Sequence, residues 1–362
     1  MHILIFIEKL SVGGAERVAS LWANGFIDNG YDVSIITCSQ TEGSYPISKK
    51  INLYNIYPFS KSKIINKCAW IWKLRPLIKK INPTVIITLL YPWNFKVLLS
   101  SIGLGIPLIN TEHGVLERPS HSRHSFFRTL AKFYFNRFFK IVTVLTKADQ
   151  DFIRNRLKNT YVLPNPLAFT PASNISQKEN VVLACGRYDA WHYKGFDLLI
   201  KAWSLLAKDF PNWKLRFIGA GSDKSINFLK NIAKDSEIAT DSIEFFDFTS
   251  KIEDEYKKSA VFVLSSRYEA FGMVLIEAMS QGCACVACDY KGRQKEIIEN
   301  DTQGVICSVE NELAIAKALR RVISDEKYRH ILQQNAIERS KYYELPNIMN
   351  RWDEIFDRIG VK

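Results

Sequence analysis

Ser265-Ser266-Arg267-Tyr268-Glu269-Ala270-Phe271-Gly272-Met273-Val274-Leu275-Ile276-Glu277-Ala278-Met279 is the stretch on which the reading of this 362-residue chain turns. Residues 260–264 just before it form a short apolar run that reads as a buried strand, and residues 273–281 read as a helix stopped by Gly282. Glu269 then falls in the strand-to-helix loop, and Glu277 about one turn inside the helix. Free N–H groups at the helix start, near Gly272, Met273 and Val274, can hold a phosphate. Glu269 would meet hydroxyls on one side of that phosphate and Glu277 hydroxyls on the other, so a sugar, a diphosphate and a ribose in a row fit the arrangement. Spacing alone leaves two plainer readings open, a solvated loop acid and an exposed helix position.

The amino-terminal end has the same grammar. Residues 3–7 read as a strand, 8–14 as a loop, 15–29 as a helix closed by Gly30, and 31–37 as a second strand, a β-α-β unit opening a parallel sheet. The loop carries Val12-Gly13-Gly14-Ala15-Glu16-Arg17. Gly13 and Gly14 let backbone approach a ligand at a helix start, although a tight turn explains them equally well, and the pattern is not the dinucleotide fingerprint G-x-G-x-x-G. Further strands at 85–89, 107–111, 141–145 and 161–163 complete a Rossmann-like domain over 1–164. Pro164-Asn165-Pro166 reads as a hinge opening a polar linker over 165–180. A second strand–helix series, with strands at 181–185, 215–218, 242–246, 260–264 and 284–287, predicts another α/β domain over 181–345. Residues 348–359 read as an amphipathic last helix within a 346–362 segment. The halves share a fold type without a visible repeat.

Two further motifs sit after predicted strands. Cys185-Gly186-Arg187 and Tyr193-Lys194-Gly195-Phe196 place Arg187 and Lys194 at a strand's carboxyl end, where two cations suit a leaving diphosphate; two exposed loop bases are the plainer reading. Thr111-Glu112-His113-Gly114 ends a strand of the first half, so His113 can face a cleft or stand as an ordinary surface histidine, with Glu112 as its partner.

Taken together, the Glu269-x7-Glu277 pattern, the Gly-Gly-Ala-Glu-Arg string, the Gly-Arg…Lys-Gly pair and His113 occur in the order seen in retaining GT-B glycosyltransferases of family 4, which the chain resembles over nearly its whole length. The resemblance implies two Rossmann-like domains facing across a cleft, with the last helix crossing back to the first. It implies a donor nucleotide-sugar held by Gly13, Gly14, Arg187, Lys194, Glu269, Phe271, Gly272, Met273, Val274 and Glu277. Catalysis would rest on Glu269, His113, Arg187 and Lys194. Glu269 would contact the donor sugar, Glu277 the ribose, the two cations the diphosphate, and His113 the donor sugar while orienting the acceptor. The segment Tyr188-Asp189-Ala190-Trp191-His192 departs from the family's usual spacing, which leaves the loop's shape open. The activity implied is transfer of a hexose or N-acetylhexosamine from a UDP-sugar, as co-substrate, to a lipid-linked glycan in surface polysaccharide synthesis of O-antigen or capsule type. No cofactor and no divalent metal are expected. A GDP-sugar donor, an epimerase or phosphorylase on the same fold, and a non-catalytic nucleotide-sugar or lipid binder are the alternatives.

Composition agrees. The net charge of +12 is one-sided: 22 Lys and Arg against 9 Asp and Glu up to Asn165, then 27 against 28, with ten bases and no acid between Glu42 and Glu112. That implies an anionic partner for the first domain. The segment 121–140, HSRHSFFRTLAKFYFNRFFK, puts Phe126, Leu130, Phe133, Tyr134 and Phe138 on one helical face, with Arg128 and Lys132 near the opposite one. Such a helix lies on anionic lipid, and 61–80, with Trp70, Trp72, Lys73 and Arg75, has the same character. The expected location is therefore cytoplasmic, peripheral on the inner face of the cytoplasmic membrane. No nucleic-acid motif is present. Seven scattered cysteines suit a reducing compartment, and Cys283, Cys285 and Cys288 lack a fourth ligand at zinc spacing. Residues 1–10 read as a strand rather than a signal peptide, and no apolar run is long enough to span a bilayer. Asp149-Gln150-Asp151, formally D-x-D, falls in a first helical turn after Thr146, where acids complement the helix dipole.

Overall fold

The computed structural model describes residues 1–11, 13–38, 45–56, 63–119, 122 and 124–361, leaving aside the side chains of 63–69 and 71. Val12, Lys61, His121 and Arg123 of the motifs above lie outside the described residues. The chain divides into two compact units, Met1–Ala168 with Glu344–Lys362, and Phe169–Tyr343.

In the first unit the elements run β1 (His2–Phe6), α1 (Gly14–Asp28), β2 (Asp32–Thr37), β3 (Asn52–Asn55), α2 (Lys63–Ile81), β4 (Val85–Leu89), α3 (Trp93–Ser101), β5 (Leu108–Thr111), α4 (Phe126–Phe133), β6 (Ile141–Val144), α5 (Lys147–Ile153) and β7 (Thr160–Val162). All seven strands are parallel, in the order β3-β2-β1-β4-β5-β6-β7. A parallel sheet is covered on both faces, which is why β1 after His2 is apolar and buried and β4 is buried throughout, apolar but for Thr88. The order reverses between β1 and β4, so the crevice for a ligand opens beyond the carboxyl ends of those strands.

The second unit repeats the design: β8 (Glu179–Cys185), α6 (Trp191–Lys194), α7 (Phe196–Ser204), β9 (Lys214–Ile218), α8 (Asp223–Asp235), β10 (Ile243–Phe246), α9 (Ile252–Lys258), β11 (Ser259–Leu264), α10 (Met273–Ser280), β12 (Ala284–Asp289), β13 (Val305–Ser308), α11 (Glu312–Ser324) and α12 (Glu326–Ser340). Its six parallel strands are ordered β10-β9-β8-β11-β12-β13, reversing between β8 and β11. Cys283, Cys285 and Cys288 are buried at and within β12.

The last helix, α13 (Leu345–Ile359), belongs to the first unit and packs on α1. Trp352 lies against Trp22 and Phe26 at 5.0 and 5.5 Å between ring centroids, and a Cβ at Gly25 would come within 2.7 Å of Met349 Sδ. Ring packing and the missing side chain together hold the two helices close.

One expectation needs correction. The aromatic segment is not a single amphipathic helix: α4 ends at Phe133, and a 3-10 turn over Phe135–Phe138 follows. Phe133 is buried, whereas Phe126 and Phe127 are 75% and 71% exposed, and Tyr134 and Phe138 are exposed too. Lys132 is no surface base either. It is buried in the polar cluster described next. Among the described residues no helix is long and apolar enough to cross a membrane.

Candidate functional site

In the second unit the reversal point brings the loops after β8 and β11 together. Past β8, Tyr188 is buried, its hydroxyl donating to the carbonyls of Phe217 and Phe246 at 3.0 and 2.7 Å. That anchor turns 188–192 into a 3-10 turn and the single helical turn of α6, which ends at Gly195 with φ +66°. A Cβ there would lie 2.0 Å from the Ser265 carbonyl oxygen, so glycine allows this loop to rest on the one after β11. Backbone and side-chain bonds fasten the two: Ser265 Oγ donates to the Lys194 carbonyl at 2.8 Å, the Arg267 N–H to the Tyr193 carbonyl at 3.0 Å, and the Arg267 guanidinium donates to the His192 carbonyl at 2.5 Å and makes two bonds of 2.7 Å to Asp197.

The clasp sets Lys194 Nζ 2.7 Å from Glu269 Oε2. Tyr193 donates to the other oxygen at 2.8 Å, and Ser266 Oγ lies 3.3 Å from Oε2. Burial alone would raise the Glu269 pKa, but the Lys194 charge and these hydrogen bonds outweigh it and hold the carboxyl below its usual range. Arg187 stands exposed at the head of the same loop. Gly272 starts α10 with φ +94° and no side chain caps the helix. The first-turn N–H groups of Met273 and Val274 have no acceptor within the helix, so this start suits an anion. Phe271 is buried with its ring against Tyr343, and its carbonyl accepts from the Gln294 side chain at 3.4 Å. Glu277 is buried, and Tyr256 donates to it at 3.3 Å. Arg187, Lys194, Glu269 and the 271–274 turn therefore share the carboxyl edge of β8 and β11.

In the first unit Gly13 caps α1 with no side-chain bond; a Cβ there would lie 2.2 Å from Glu16 Oε2, so the space is filled by the carboxylate of the first turn. Gly14, the next residue, is exposed. His113 follows β5, with Nδ1 3.1 Å from Asn165 Oδ1, Nε2 3.0 Å from Thr111 Oγ1 and the ring 5.4 Å from that of Trp22. Burial pushes its pKa down to about 4, so it is a neutral imidazole at pH 7. Beside it the buried Glu112 carboxylate takes bonds from Lys132, from Asn136 at 3.0 Å and from Asn110 at 3.2 Å. The Lys132 charge and these bonds overcome the burial that would raise the Glu112 pKa, and hold it low. Thr146 caps α5, its Oγ1 accepting from the N–H of the first-turn Asp149 at 3.1 Å.

Sequence reasoning missed several supports of these groups. Tyr193 and Arg267 lie inside the quoted motifs, but the contacts that make them matter are 76 and 70 residues away in sequence. Asn165 reads as part of a hinge, and no local signal announces that its side chain meets His113.

Comparison with known proteins fits this geometry. The family model for glycosyl transferases group 1 matches residues 168–339, and that for glycosyltransferase family 4 matches residues 12–168. The chain belongs to the family 4 glycosyltransferases and has the GT-B fold. It is 30% identical to the amylovoran biosynthesis glycosyltransferase AmsD of Erwinia amylovora, over 98% of this chain and 99% of that one. It is 28% identical, over 97% of each chain, to a Campylobacter jejuni α-1,4-N-acetyl-D-galactosaminyltransferase named for a diNAcBac-PP-undecaprenol-linked acceptor. The crystal structure of HepE from Anabaena with UDP and glucose shares the fold, with a TM-score of 0.80, 19% identity and 99% of both chains covered.

Proposed function

We propose that the chain transfers a hexose or N-acetylhexosamine from a UDP-sugar to a lipid-linked glycan, with retained anomeric configuration and without a divalent metal. The step belongs to surface polysaccharide synthesis at the inner face of the cytoplasmic membrane. The observation that carries this reading is the Lys194–Glu269 pair at the β8/β11 reversal point, beside Arg187 and the uncapped start of α10. A carboxylate held ionised and two cations at one edge suit a sugar on one side and a diphosphate on the other. The names of the Erwinia and Campylobacter relatives support a polysaccharide product and a lipid-linked acceptor.

In the proposed reaction the N–H groups of Met273 and Val274 hold the diphosphate, and Glu277 takes the ribose hydroxyls. The bond from the anomeric carbon to the phosphate oxygen breaks with its electron pair going to UDP, whose charge Arg187 and Lys194 stabilise. The acceptor oxygen bonds to the same face of that carbon, and its proton passes to the departing phosphate oxygen. Glu269 fixes the sugar and favours positive charge at the anomeric carbon. His113 acts as a neutral hydrogen-bonding group toward sugar and acceptor. The exposed Phe126, Phe127, Tyr134 and Phe138, with Arg128, Arg137 and Lys140 on the same segment, hold the first unit at anionic lipid.

The test is the anomeric configuration of the product, read by NMR from an α-linked UDP-sugar with EDTA present. An α-linked product at undiminished rate is expected. A β-linked product, or activity abolished by EDTA, would contradict the mechanism.

A further inference from the structure

Below the amino ends of β5 and β6, at the opposite edge of the sheet from His113, the first unit has an apolar cavity of about 880 Å³. It lies between α3, the turn that follows it, the 3-10 turn of Phe135–Phe138 and the end of α13; Leu98, Leu99, Ile102, Phe138 and Val361 are among its walls. That volume is in the usual range of ~300–1,000 Å³ for small-molecule sites. Two polar features interrupt the hydrocarbon lining. Ser101 Oγ is buried with no hydrogen-bond partner among the described residues. A buried hydroxyl left unpaired is unfavourable unless a ligand supplies its partner. Lys140, the one charged side chain among the described residues of the lining, is exposed. Arg75 adds a second cation nearby, donating to the carbonyls of Ser100 and Ile102 at 2.9 and 2.7 Å. No acid is among the described residues of the lining.

We propose that this cavity takes one acyl chain of an anionic phospholipid, with its phosphate beside Lys140 and its ester carbonyl accepting from Ser101. The inference rests on the membrane-facing part of the function proposed above. It makes that contact a specific one: the exposed ring of Phe138 belongs both to the aromatic segment and to the cavity wall, so a chain entering here continues the lipid-facing surface. It assigns no part in the chemistry at Glu269.

The test is binding of a monoacyl phosphatidylglycerol with a twelve-carbon chain, kept below its micelle concentration, to the full chain by calorimetry. Saturable one-to-one binding is expected. An eight-carbon homologue should bind tens- to about 200-fold more weakly, since each buried methylene contributes about 0.8 kcal/mol. Ile102→Glu, at a position 62% exposed where folding is spared, should weaken binding more than tenfold, and Ser101→Ala roughly three- to tenfold. No saturable binding, or binding that neither chain length nor Ile102→Glu alters, would overturn the proposal. Anionic-vesicle sedimentation separates the two ideas. Vesicle binding without monomer binding leaves the membrane reading and removes the cavity site; monomer binding without vesicle binding does the reverse.

Discussion

Glu269 is only 12% exposed yet held ionised by Lys194, and each group makes the other tolerable. Lys194→Ala should therefore do two separable things. Losing a cation aimed at the departing diphosphate should lower kcat about 10²- to 10³-fold. Leaving a buried carboxylate without its partner should cost about 3 kcal/mol of stability, measured by urea unfolding. Pairing Lys194→Met with Glu269→Gln should restore most of the stability and none of the turnover; recovery of turnover would place the chemistry elsewhere. His113 gives a pH signature. Its folded pKa of about 4 lies below the unfolded ~6.5, so the unfolded chain binds the extra proton between those values. Stability should fall as pH drops through that window, by about 2 kcal/mol from pH 7 to pH 5. His113→Gln should lack that contribution, and equal acid sensitivity in both proteins would contradict the burial argument. The depressed pKa values of Glu112 and Glu269 act lower: their stabilisation is present above ~4.3 and is lost as pH falls below it, so the two windows can be told apart.

At the scale of elements, α4 joins two roles. Its amino end exposes Phe126 and Phe127, while Lys132, on its last turn, reaches inward to Glu112 next to His113. Phe126→Ser with Phe127→Ser should leave the melting temperature unchanged and reduce binding to anionic vesicles about tenfold or more. Lys132→Met should do the opposite, destabilising the fold by about 3 kcal/mol, because it strips a buried carboxylate of its cation. Reversing Lys132 is thus no test of the lipid surface, though the sequence invites it: a lysine in a helix beside aromatics reads as solvent-facing, since nothing local shows a carboxylate 20 residues earlier in the chain. Legibility follows the same physics elsewhere. The β11–loop–α10 unit was readable because a doubly covered strand is apolar throughout and Gly272 marks the helix start. β3, at one edge of its sheet, escaped notice because its four residues Asn-Leu-Tyr-Asn are mostly polar and exposed, and β13, also four residues at an edge and half exposed, has too short an apolar run to mark a strand. The loop after β8 could not be drawn from its spacing, because its shape is set by Tyr188 reaching carbonyls of β9 and β10.

For the whole molecule, the two sheets run through the same order over six strands, the first adding β7, without sharing a sequence, as expected when both obey the packing rules of parallel α/β layers. The alternation of strand and helix made the fold type readable, though not the strand order, and it located the loops after β1, β5, β8 and β11 as the places for chemistry. The charge map adds what the fold does not. All of the positive excess lies up to Asn165, so any attraction of that half to an anionic surface should be screened by salt. The proposed donor site lies in the second unit, where Arg187, Lys194, Glu269 and the start of α10 converge. The most direct test of that claim is a transfer assay in EDTA with a panel of UDP-, GDP- and ADP-sugars and lipid-linked acceptors extracted from membranes, with thermal unfolding measured alongside. The account predicts lipid-dependent release of UDP from one donor and stabilisation by UDP that Lys194→Ala abolishes. No turnover together with no stabilisation by any nucleotide would contradict it.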